Sequence, residues 1–574
     1  MKKHHFHFIS TALVIVGFVC LQLLHFSLAQ TQESSAQTYP KEWDVPVRSG
    51  TALAEIKAAY TGRRAAATHV DDLQDRSPLP SWFRDYLRAN LNGLPEGGRY
   101  QYPRVSVEIL EWMLSHQDLK PAPPGGARRP VRRTATQNRP AGSVSSDRTK
   151  LRSDVNVSDA DERNSESYIA IDERDPRTVI VASNNLSGSG RQKQFYSADS
   201  GATWGKAELP LPMGIAMHSD PTLAFSTDGT AWAATLGIDN TGTSVTVQVY
   251  KSLDHGASWQ FDATISEGSN NDKELLWIDE GPNSPFKDNI YVAWDVPGGG
   301  MRFARSKDKG RTWSKPLQLS ADRAIGAHLV TGPSGELYVA WPDTDSKKIV
   351  IRRSDDGGAT FQAAHTITTT HGSYEITIPA MCRRKALIYV TLGVDRSNGP
   401  GKGNVYATWT DLVGNDSVDC SDTSSRAAVH FSSSRDGGNS WSTPRIIPAD
   451  LPSTDRFNQW MAVDPQDGSI SVLFYDTRGD SARKKTEVYG LMSIDGGQNW
   501  AEETKLSTGQ SDETVSPADL GNQYGDYNSL AAYGRNIHGS WTDRRPSIHG
   551  GKEQIYTAPL QTGSSAAASP PPSK

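Results

Sequence analysis

Short apolar segments recur in pairs along most of the chain, and turns rich in Gly, Asp, Asn or Ser separate them. Segments of four to six residues between such turns are typical of β-strands rather than helices. The predicted strand pairs are residues 168–171 with 179–182, 222–225 with 231–234, 275–278 with 290–294, 328–331 with 337–341, a less regular unit that ends in 405–409, 460–463 with 470–475, and 530–533 with 537–541.

One short motif, Ser-x-Asp-x-Gly-x-(Thr/Ser/Asn)-(Trp/Phe), occurs six times between these segments. Its aspartate can accept hydrogen bonds from turn amides, and its glycine can adopt the positive φ that a tight hairpin needs. A period near fifty residues with strand-like sequence between copies predicts an all-β fold, a β-propeller with one blade per repeat. The copies begin at Ser197, Ser252, Ser306, Ser354, Ser434 and Ser493, with spacings of 55, 54, 48, 80 and 59 residues.

Seven strand pairs accompany only six motifs, and the last pair is followed by a third strand near residues 554–558. The pattern therefore favours seven blades, the last one closed by an N-terminal strand near residues 155–157, because closure by both chain ends removes exposed sheet edges. Six blades is the alternative, which requires one strand pair to be an insertion in the 80-residue interval.

Regions outside the repeats differ in composition. Residues 1–29 combine an N-terminal positive charge, an apolar run and Ser27-Leu28-Ala29, which predicts a cleaved signal peptide and a secreted or periplasmic protein. Amphipathic spacing predicts a small helical region over 31–117, followed by a disordered Pro/Arg-rich linker over 118–150. The propeller is predicted over 151–560, and 561–574 is predicted to be a disordered tail.

Composition and charge limit the classes of binding partner that we expect. The formal net charge of -5 on 574 residues favours neither nucleic-acid binding nor attraction to a membrane surface, and we expect a monomer without stable membrane insertion. Cys382 and Cys420 both lie in the 80-residue interval, where an oxidising compartment favours a disulfide bond, with two free thiols as the alternative. We expect no cofactor and no metal, since two distant cysteines supply too few ligands.

Propeller topology predicts where functional side chains gather, namely where first strands begin and second strands end. Acids, arginines and aromatic residues at these positions suit a sugar site, because carboxylates bind hydroxyl groups and aromatic rings stack on sugar faces. The recurring aromatic residue and aspartate at second-strand ends can also be structural. The candidates are Glu166, Asp220, Asp272, His328, Arg456, Tyr524, Asp526 and Tyr527 at the starts, and Asp295, Trp341, Asp476, Arg478 and Arg544 at the ends.

The six motifs are Asp-boxes, and residues 150–560 resemble the Asp-box (BNR-repeat) propellers of the sialidase superfamily. The resemblance implies Tyr527 as nucleophile, helped by Glu166 or Glu375, with Asp526 also catalytic. It implies that Arg456, Arg478 and Arg544 hold the carboxylate of an acidic sugar. The Phe/Tyr-Arg-Ile-Pro segment that precedes the first blade in sialidases is absent, because residues 161–168 occupy its place.

Three functions follow as expectations. The most concrete is an exo-glycosidase of acidic sugars of the sialidase type, in which the tyrosine replaces one carboxylate of the usual glycosidase pair. The others are a non-catalytic propeller that binds a glycan or protein, and a polysaccharide lyase acting on uronate polymers. In the lyase, a histidine and a tyrosine would remove the C5 proton while arginine neutralises the carboxylate. Whether the protein is an enzyme stays open at this point, but the shared expectation is a glycan partner.

Overall fold

The structure is a computed structural model. It describes residues 154–560 apart from 187–188, 240–243, 267, 269, 298, 417–418, 421, 423, 450–452, 516–517, 519–522 and 546–548. The predicted signal peptide, helical region, linker and C-terminal tail lie outside the described residues. In the part that is described, helical structure is confined to a 3-10 turn at His549–Gly551, and no helix there could cross a membrane.

The described residues form antiparallel sheets, which are numbered here in chain order and whose strands follow one another as hydrogen-bonded neighbours. The first strand, β1 (Val155–Asn156), belongs to the last sheet. Sheet 1 has β2 (Asn164–Ile171), β3 (Val179–Asn185), β4 (Lys193–Ser197) and β5 (Gly205–Glu208). Sheet 2 has β6 (Ile215–Phe225), β7 (Ala231–Asp239), β8 (Val245–Ser252) and β9 (Gln260–Thr264). Sheet 3 has β10 (Asp272–Ile278), β11 (Ile290–Val296), β12 (Gly300–Ser306) and β13 (Leu317–Gln318). Sheet 4 has β14 (His328–Thr331), β15 (Leu337–Asp343), β16 (Lys348–Ser354) and β17 (His365–Thr369).

A two-stranded ribbon follows sheet 4 and belongs to none of the larger sheets; its strands are β18 (Glu375–Ile378) and β19 (Met381–Leu387). Sheet 5 has β20 (Val390–Val394), β21 (Val405–Gly414), β22 (Ser425–Ser434) and β23 (Arg445–Ile446). Sheet 6 has β24 (Arg456–Val463), β25 (Ile470–Asp476), β26 (Lys485–Ser493) and β27 (Thr504–Lys505), and β28 (Ser511–Asp512) also pairs with β26. Sheet 7 has β29 (Ser529–Tyr533), β30 (Asn536–Asp543) and β31 (Gln554–Pro559), with β1 as its outer strand.

The first strands of the sheets contact one another in the closed cyclic order β2, β6, β10, β14, β20, β24, β29 and back to β2. A ring of four-stranded antiparallel sheets is the arrangement of a β-propeller. The all-β prediction is confirmed, and so are the predicted strand pairs; the irregular unit pairs 405–409 with β20. The predicted closing strand is confirmed too, because Val155 and Asn156 pair with Thr557 and Tyr556 of β31.

The repeated motif forms the same turn in all copies, between the third and fourth strands of sheets 1 to 6. In the first copy, Ser197 Oγ donates to Asp199 Oδ1 at 2.8 Å and accepts from Gly201 N at 2.9 Å. Thr203 N donates to the same carboxylate oxygen at 2.8 Å. Sheet 7 has no copy because its fourth strand, β1, comes from the other end of the chain, so no turn joins it to β31.

The antiparallel course of each sheet places these turns on one face of the ring, called the lower face here. Starts of first strands and ends of second strands lie on the opposite, upper face. The large aromatic residues at second-strand ends are packed inside, and Trp341 is one of them, with 2% of its surface exposed. Trp341 therefore fits a structural role in packing between sheets rather than substrate binding, because an enclosed indole cannot stack on a sugar.

Candidate functional site

A β-bulge interrupts the first strand at the upper end of sheets 1, 2, 3 and 6. In each case the residue two positions before regular pairing resumes has a left-handed φ: Glu166 (55°), Asp220 (55°), Lys273 (43°) and Asn458 (46°). Non-glycine residues in this region are strained, and such strain is concentrated at functional sites. The bulges re-aim polar side chains that a regular strand would distribute between its two faces.

Glu166 links sheet 1 to the segment that precedes sheet 7. Its Oε2 accepts a hydrogen bond from Asn184 Nδ2 at 2.6 Å, and its Oε1 accepts one from Asp526 N at 3.1 Å. Gly525 (φ 74°) permits this approach, since a Cβ atom on it would lie 2.5 Å from Glu166 Cγ. Asn458 Nδ2 donates to Gly525 O at 3.1 Å, so sheet 6 holds the same segment.

Arg384, on the ribbon β18–β19, provides one of the two cations of this cluster. Its Nε donates to Asp526 Oδ1 at 2.7 Å, and its Nη2 contacts the same oxygen. The distance from Nη2 to Glu166 Oε1 is 3.9 Å. Arg384 N also donates to Gln523 Oε1 at 3.1 Å, which ties the ribbon to the segment that carries Asp526.

Lys273 is the second cation, and it lies against two tyrosines. Its Nζ is 3.0 Å from the ring centroid of Tyr527 and 5.6 Å from that of Tyr389. Tyr527 is buried, and its hydroxyl group donates to Pro221 O at 3.4 Å. Trp460 and His328 pack edge to face with ring centroids 5.1 Å apart, and the Trp460 ring lies 6.2 Å from that of Tyr527.

Burial and crowding raise the pKa of several carboxyl groups at this site. The pKa of Asp272 rises to about 7 because of burial and then because of Asp220 and Asp526, while Lys273 opposes the rise. The pKa of Glu166 rises well above its usual range through burial, Asp526 and Asp220, against the pull of Arg384 and Lys273. Burial, followed by neighbouring acids, likewise raises the pKa of Glu274 and of Asp295.

This cluster, called the upper-face cluster below, contains Glu166, Asp220, Asp272, Lys273, Glu274, Asp295, Arg384 and Asp526. It places carboxyl groups whose pKa is raised beside Asp526, which is paired with Arg384, and such a combination can supply both an acid and a base. Asp272 and Asp526 are half-buried and so meet solvent, whereas Glu274 and Asp295 are fully enclosed. Among the described residues, no three such side chains are arranged to hold a metal ion.

The structure thus brings six of the predicted residues together: Glu166, Asp220, Asp272, Asp295, Asp526 and Tyr527. His328 lies directly below them, with its Nδ1 accepting from Leu392 N at 3.3 Å and burial lowering its pKa to about 3. A neutral imidazole packed against Trp460 is a structural residue in this setting.

The predicted arginines are engaged elsewhere. Arg456 Nε donates to Asp476 Oδ2 at 2.9 Å, and Arg478 pairs with Asp476 at 2.6 Å and with Glu503 at 2.6 Å. Arg544 N donates to Ser511 Oγ at 2.9 Å, and its guanidinium group contacts Asp512 O. Arg456 and Arg478 share Asp476 as a counter-ion, and the Arg544 guanidinium group donates to a backbone carbonyl of the protein.

Tyr524 and Glu375 are also placed apart from substrate-binding roles. Tyr524 is fully buried, and its hydroxyl group donates to Ser511 O at 3.1 Å. Glu375 is exposed at the start of β18. Its backbone pairs with Leu387 rather than with a residue of the cluster.

Arg384 and Asn458 were not among the predicted residues of the site. Lys273 and Asn184 lie at a strand start and a strand end, where functional side chains were expected, but no role was assigned to them. Lys273 follows the predicted Asp272 directly, but nothing in the sequence marks the bulge that turns it toward Tyr527. Arg384 has only the enlarged interval between two motifs as a signal. The disulfide bond in that interval is present between Cys382 and Cys420, with a Cα–Cα distance of 5.5 Å.

Comparison with known proteins gives structural neighbours only. No protein-family profile matches the sequence, and no curated protein matches it. The lectin BP39L from Burkholderia pseudomallei has a TM-score of 0.44 at 13% identity, covering 69% of this chain and 96% of the lectin. The GH93 α-L-arabinofuranosidase of Fusarium graminearum, solved with arabinobiose, has a TM-score of 0.41 at 13% identity, covering 61% and 95%. The NanB sialidase from Streptococcus pneumoniae has a TM-score of 0.37 at 12% identity, covering 72% and 70%. These low values transfer no residue role and no substrate to this chain.

Proposed function

We propose that this protein is a seven-bladed, glycan-acting propeller that hydrolyses glycosidic bonds at the upper-face cluster. The observation that supports the proposal is that a carboxyl group with a pKa of about 7, Asp272 on β10, lies in one cluster with an ion-paired carboxylate, Asp526 in the segment before β29. Glycoside hydrolysis generally uses such a pair, one group as acid and one as base or nucleophile. The disulfide bond fits a secreted or periplasmic location.

In this mechanism, Asp272 donates its proton to the glycosidic oxygen as the bond from that oxygen to the anomeric carbon breaks. The Asp526 carboxylate either attacks the anomeric carbon or removes a proton from the water that does so. Glu166 receives the Asp526 amide hydrogen bond and so helps to orient that carboxylate. Lys273 and Arg384 oppose the rise in the pKa of Glu166, and Lys273 opposes the rise in the pKa of Asp272.

The pairing of the arginines favours a neutral glycan. Arg384, the guanidinium group of the cluster, is already paired with Asp526, so a substrate carboxylate would have to compete with that pair. Arg456, Arg478 and Arg544, which the sialidase resemblance assigns to an acidic sugar, bind internal acceptors instead. Tyr527 is enclosed and covered by Lys273, which favours a role in positioning Lys273 over one as nucleophile.

The test uses the full chain with a panel of 4-nitrophenyl glycosides, including neutral furanosides and pyranosides as well as a sialoside. We expect hydrolysis of a neutral glycoside, and loss of about 100-fold or more in kcat for Asp272→Asn and Asp526→Asn. Asp355→Asn is the matched control, because Asp355 is an aspartate paired with Arg353 outside the cluster.

Other outcomes would contradict parts of the proposal. Sialoside hydrolysis that is lost in Tyr527→Phe but kept in Asp272→Asn would favour the sialidase mechanism. Unsaturated products from a uronate polymer, seen by mass spectrometry, would indicate a lyase. No product from any substrate, together with glycan binding measured by calorimetry, would make the protein a non-catalytic binder.

A further inference from the structure

The ribbon β18–β19 lies outside the sheets of the ring, yet it supplies a charged group of the upper-face cluster. It fills the long interval between the fourth and fifth motifs and contacts strands β22 and β24. Its connection to the cluster runs through Arg384, on β19. An element outside the repeat therefore completes a site that the repeat alone does not contain.

Arg384 lies between acids of two different elements, Glu166 on β2 and Asp526 in the segment before β29. The guanidinium group donates to Asp526 Oδ1 at 2.7 Å and lies 3.9 Å from Glu166 Oε1. Its side chain is 25% exposed, and that of Asp526 is 12% exposed, so the pair stands where a substrate would enter. A carboxylate–guanidinium pair of this kind restrains the orientation of the carboxylate and also balances its charge.

The position of Arg384 depends on a covalent anchor two residues away. Cys382, on the same strand, is bonded to Cys420 in the connection between β21 and β22. The bond closes a loop over a sequence separation of 38 residues. Both cysteines are half-buried, so a small reductant can reach them. Polar contacts add to the anchor, since Lys385 Nζ donates to Thr377 Oγ1 at 2.8 Å and Ser425 Oγ donates to Thr377 O at 3.0 Å.

We propose that Arg384 is a positioning residue for Asp526 and Glu166, and that the Cys382–Cys420 disulfide bond holds it in place. The hydrolytic activity then depends on the oxidation state of this bond. The inference rests on the proposed function for its kinetic part only, because the displacement of the ribbon can be measured without a substrate.

The redox step is an ordinary thiol–disulfide exchange. A dithiol reductant transfers two electrons and two protons to the bond, Cys382 and Cys420 become thiols, and the reductant is oxidised to its own disulfide. Without the anchor, the ribbon is held to the ring by its two backbone connections and by non-covalent contacts. The Arg384–Asp526 pair is then formed in a smaller fraction of molecules, so the carboxyl groups of Asp526 and Glu166 lose their nearest cation.

The charges around Glu166 predict the direction of the pH effect. Burial, Asp526 and Asp220 raise its pKa, while Arg384 and Lys273 lower it. Removing Arg384 therefore raises the pKa of Glu166 further. Both Glu166 oxygens accept hydrogen bonds, from Asn184 and from Asp526 N, and protonation would weaken these bonds, so the acidic limb of the rate profile should move to higher pH.

The experiment compares oxidised protein, protein reduced with dithiothreitol and alkylated, Cys382→Ser/Cys420→Ser, Arg384→Gln and Arg384→Lys. For the first three changes from the oxidised state we expect kcat/KM to fall about 10- to 100-fold, mainly through kcat, with the acidic limb displaced. Arg384→Lys should recover part of the loss, because its ammonium group restores the charge but not the paired geometry. Arg353→Gln, which breaks the pair with Asp355 outside the cluster, is the control.

Hydrogen–deuterium exchange of residues 375–387 separates this inference from the proposed function. Reduction and the double serine variant should both speed exchange there and leave the first strands of the ring unchanged. Unchanged exchange in residues 375–387 would overturn the inference whether or not the protein is an enzyme. Unchanged kinetics in an active enzyme would overturn it while leaving the proposed function intact, and an inactive oxidised protein would refute the function but not the anchoring.

Discussion

Replacing Asp272 with asparagine should remove activity and at the same time stabilise the protein. The Asp272 carboxyl group has a pKa of about 7 in the folded state, against 3.8 for the ordinary group. That difference corresponds to about 4 kcal/mol, because each pKa unit is worth about 1.4 kcal/mol. Asp272 is half-buried, so water relieves part of this cost, and we expect a gain of about 2 kcal/mol at pH 8.

The direction of this pH dependence follows from proton binding in the folded and unfolded states. The raised pKa means that the folded state binds a proton more tightly than the unfolded state, so stability falls as the pH rises from about 4 to about 7. Above that range the full cost of the ionised group is present. Asparagine carries no charge at any pH, and its Oδ1 can still accept the hydrogen bond that Lys273 N donates to Asp272 at 2.9 Å. The gain should therefore be smaller at pH 5 than at pH 8.

Urea denaturation of the full chain at pH 5 and pH 8, followed by tryptophan fluorescence, measures this difference. Asp355→Asn should change the free energy of unfolding by no more than about 0.5 kcal/mol at either pH. A variant that is less stable than the wild type at pH 8 would refute the reasoning. So would a gain that does not grow between the two pH values.

Three further predictions concern the motif, the approach of two segments and the closure of the ring. Asp254→Ala removes an acceptor for Ser252 Oγ at 2.8 Å and Ser258 N at 2.9 Å. It should lower the free energy of unfolding by about 1–2 kcal/mol with kcat unchanged, and a fall in kcat would contradict the assignment of the motif to structure. Gly525→Ala places a Cβ atom 2.5 Å from Glu166 Cγ, so kcat should fall up to about 100-fold in steady-state assays. An unchanged kcat would show that Glu166 has no part in the reaction. Val157→Asp puts a charge at a 1% exposed position beside β31 and should cost about 3 kcal/mol or more in urea denaturation; Val155→Thr is the control, and equal effects would argue against closure by both chain ends.

Much of the ring could be predicted because residues close together in the sequence determine its strands and turns. An apolar segment, a turn and a second apolar segment define each strand pair, and the motif marks where the third strand turns into the fourth. The closing strand near residues 155–157 also followed from pattern, since a seventh unit with three strands needs a fourth from elsewhere. These features depend on neighbours within a few residues or on a simple count.

The site could be predicted only in part, because its geometry is not local. Strand-start positions pointed to Glu166, Asp220 and Asp272, which lie together because the topology gathers such positions on one face. The same rule nominated Arg456 and Tyr524, whose partners in sheet 6 and in the connection after it withdraw them from the cluster. Arg384 reaches Asp526 across a sequence separation of 142 residues, and nothing in the local pattern encodes that contact.

The bulges explain how one repeated fold separates stability from chemistry. On the lower face, each motif satisfies its own backbone with its own serine and aspartate, so the turns stabilise the sheets without contributing to the cluster. On the upper face, Glu166, Asp220 and Lys273 adopt a left-handed φ and gather charge that no regular strand would concentrate. That strain and the burial of these acids destabilise the folded state. If stability is supplied mainly by the motif turns and the packed sheets, relieving the cost at Asp272 should stabilise the protein and abolish hydrolysis in the same variant.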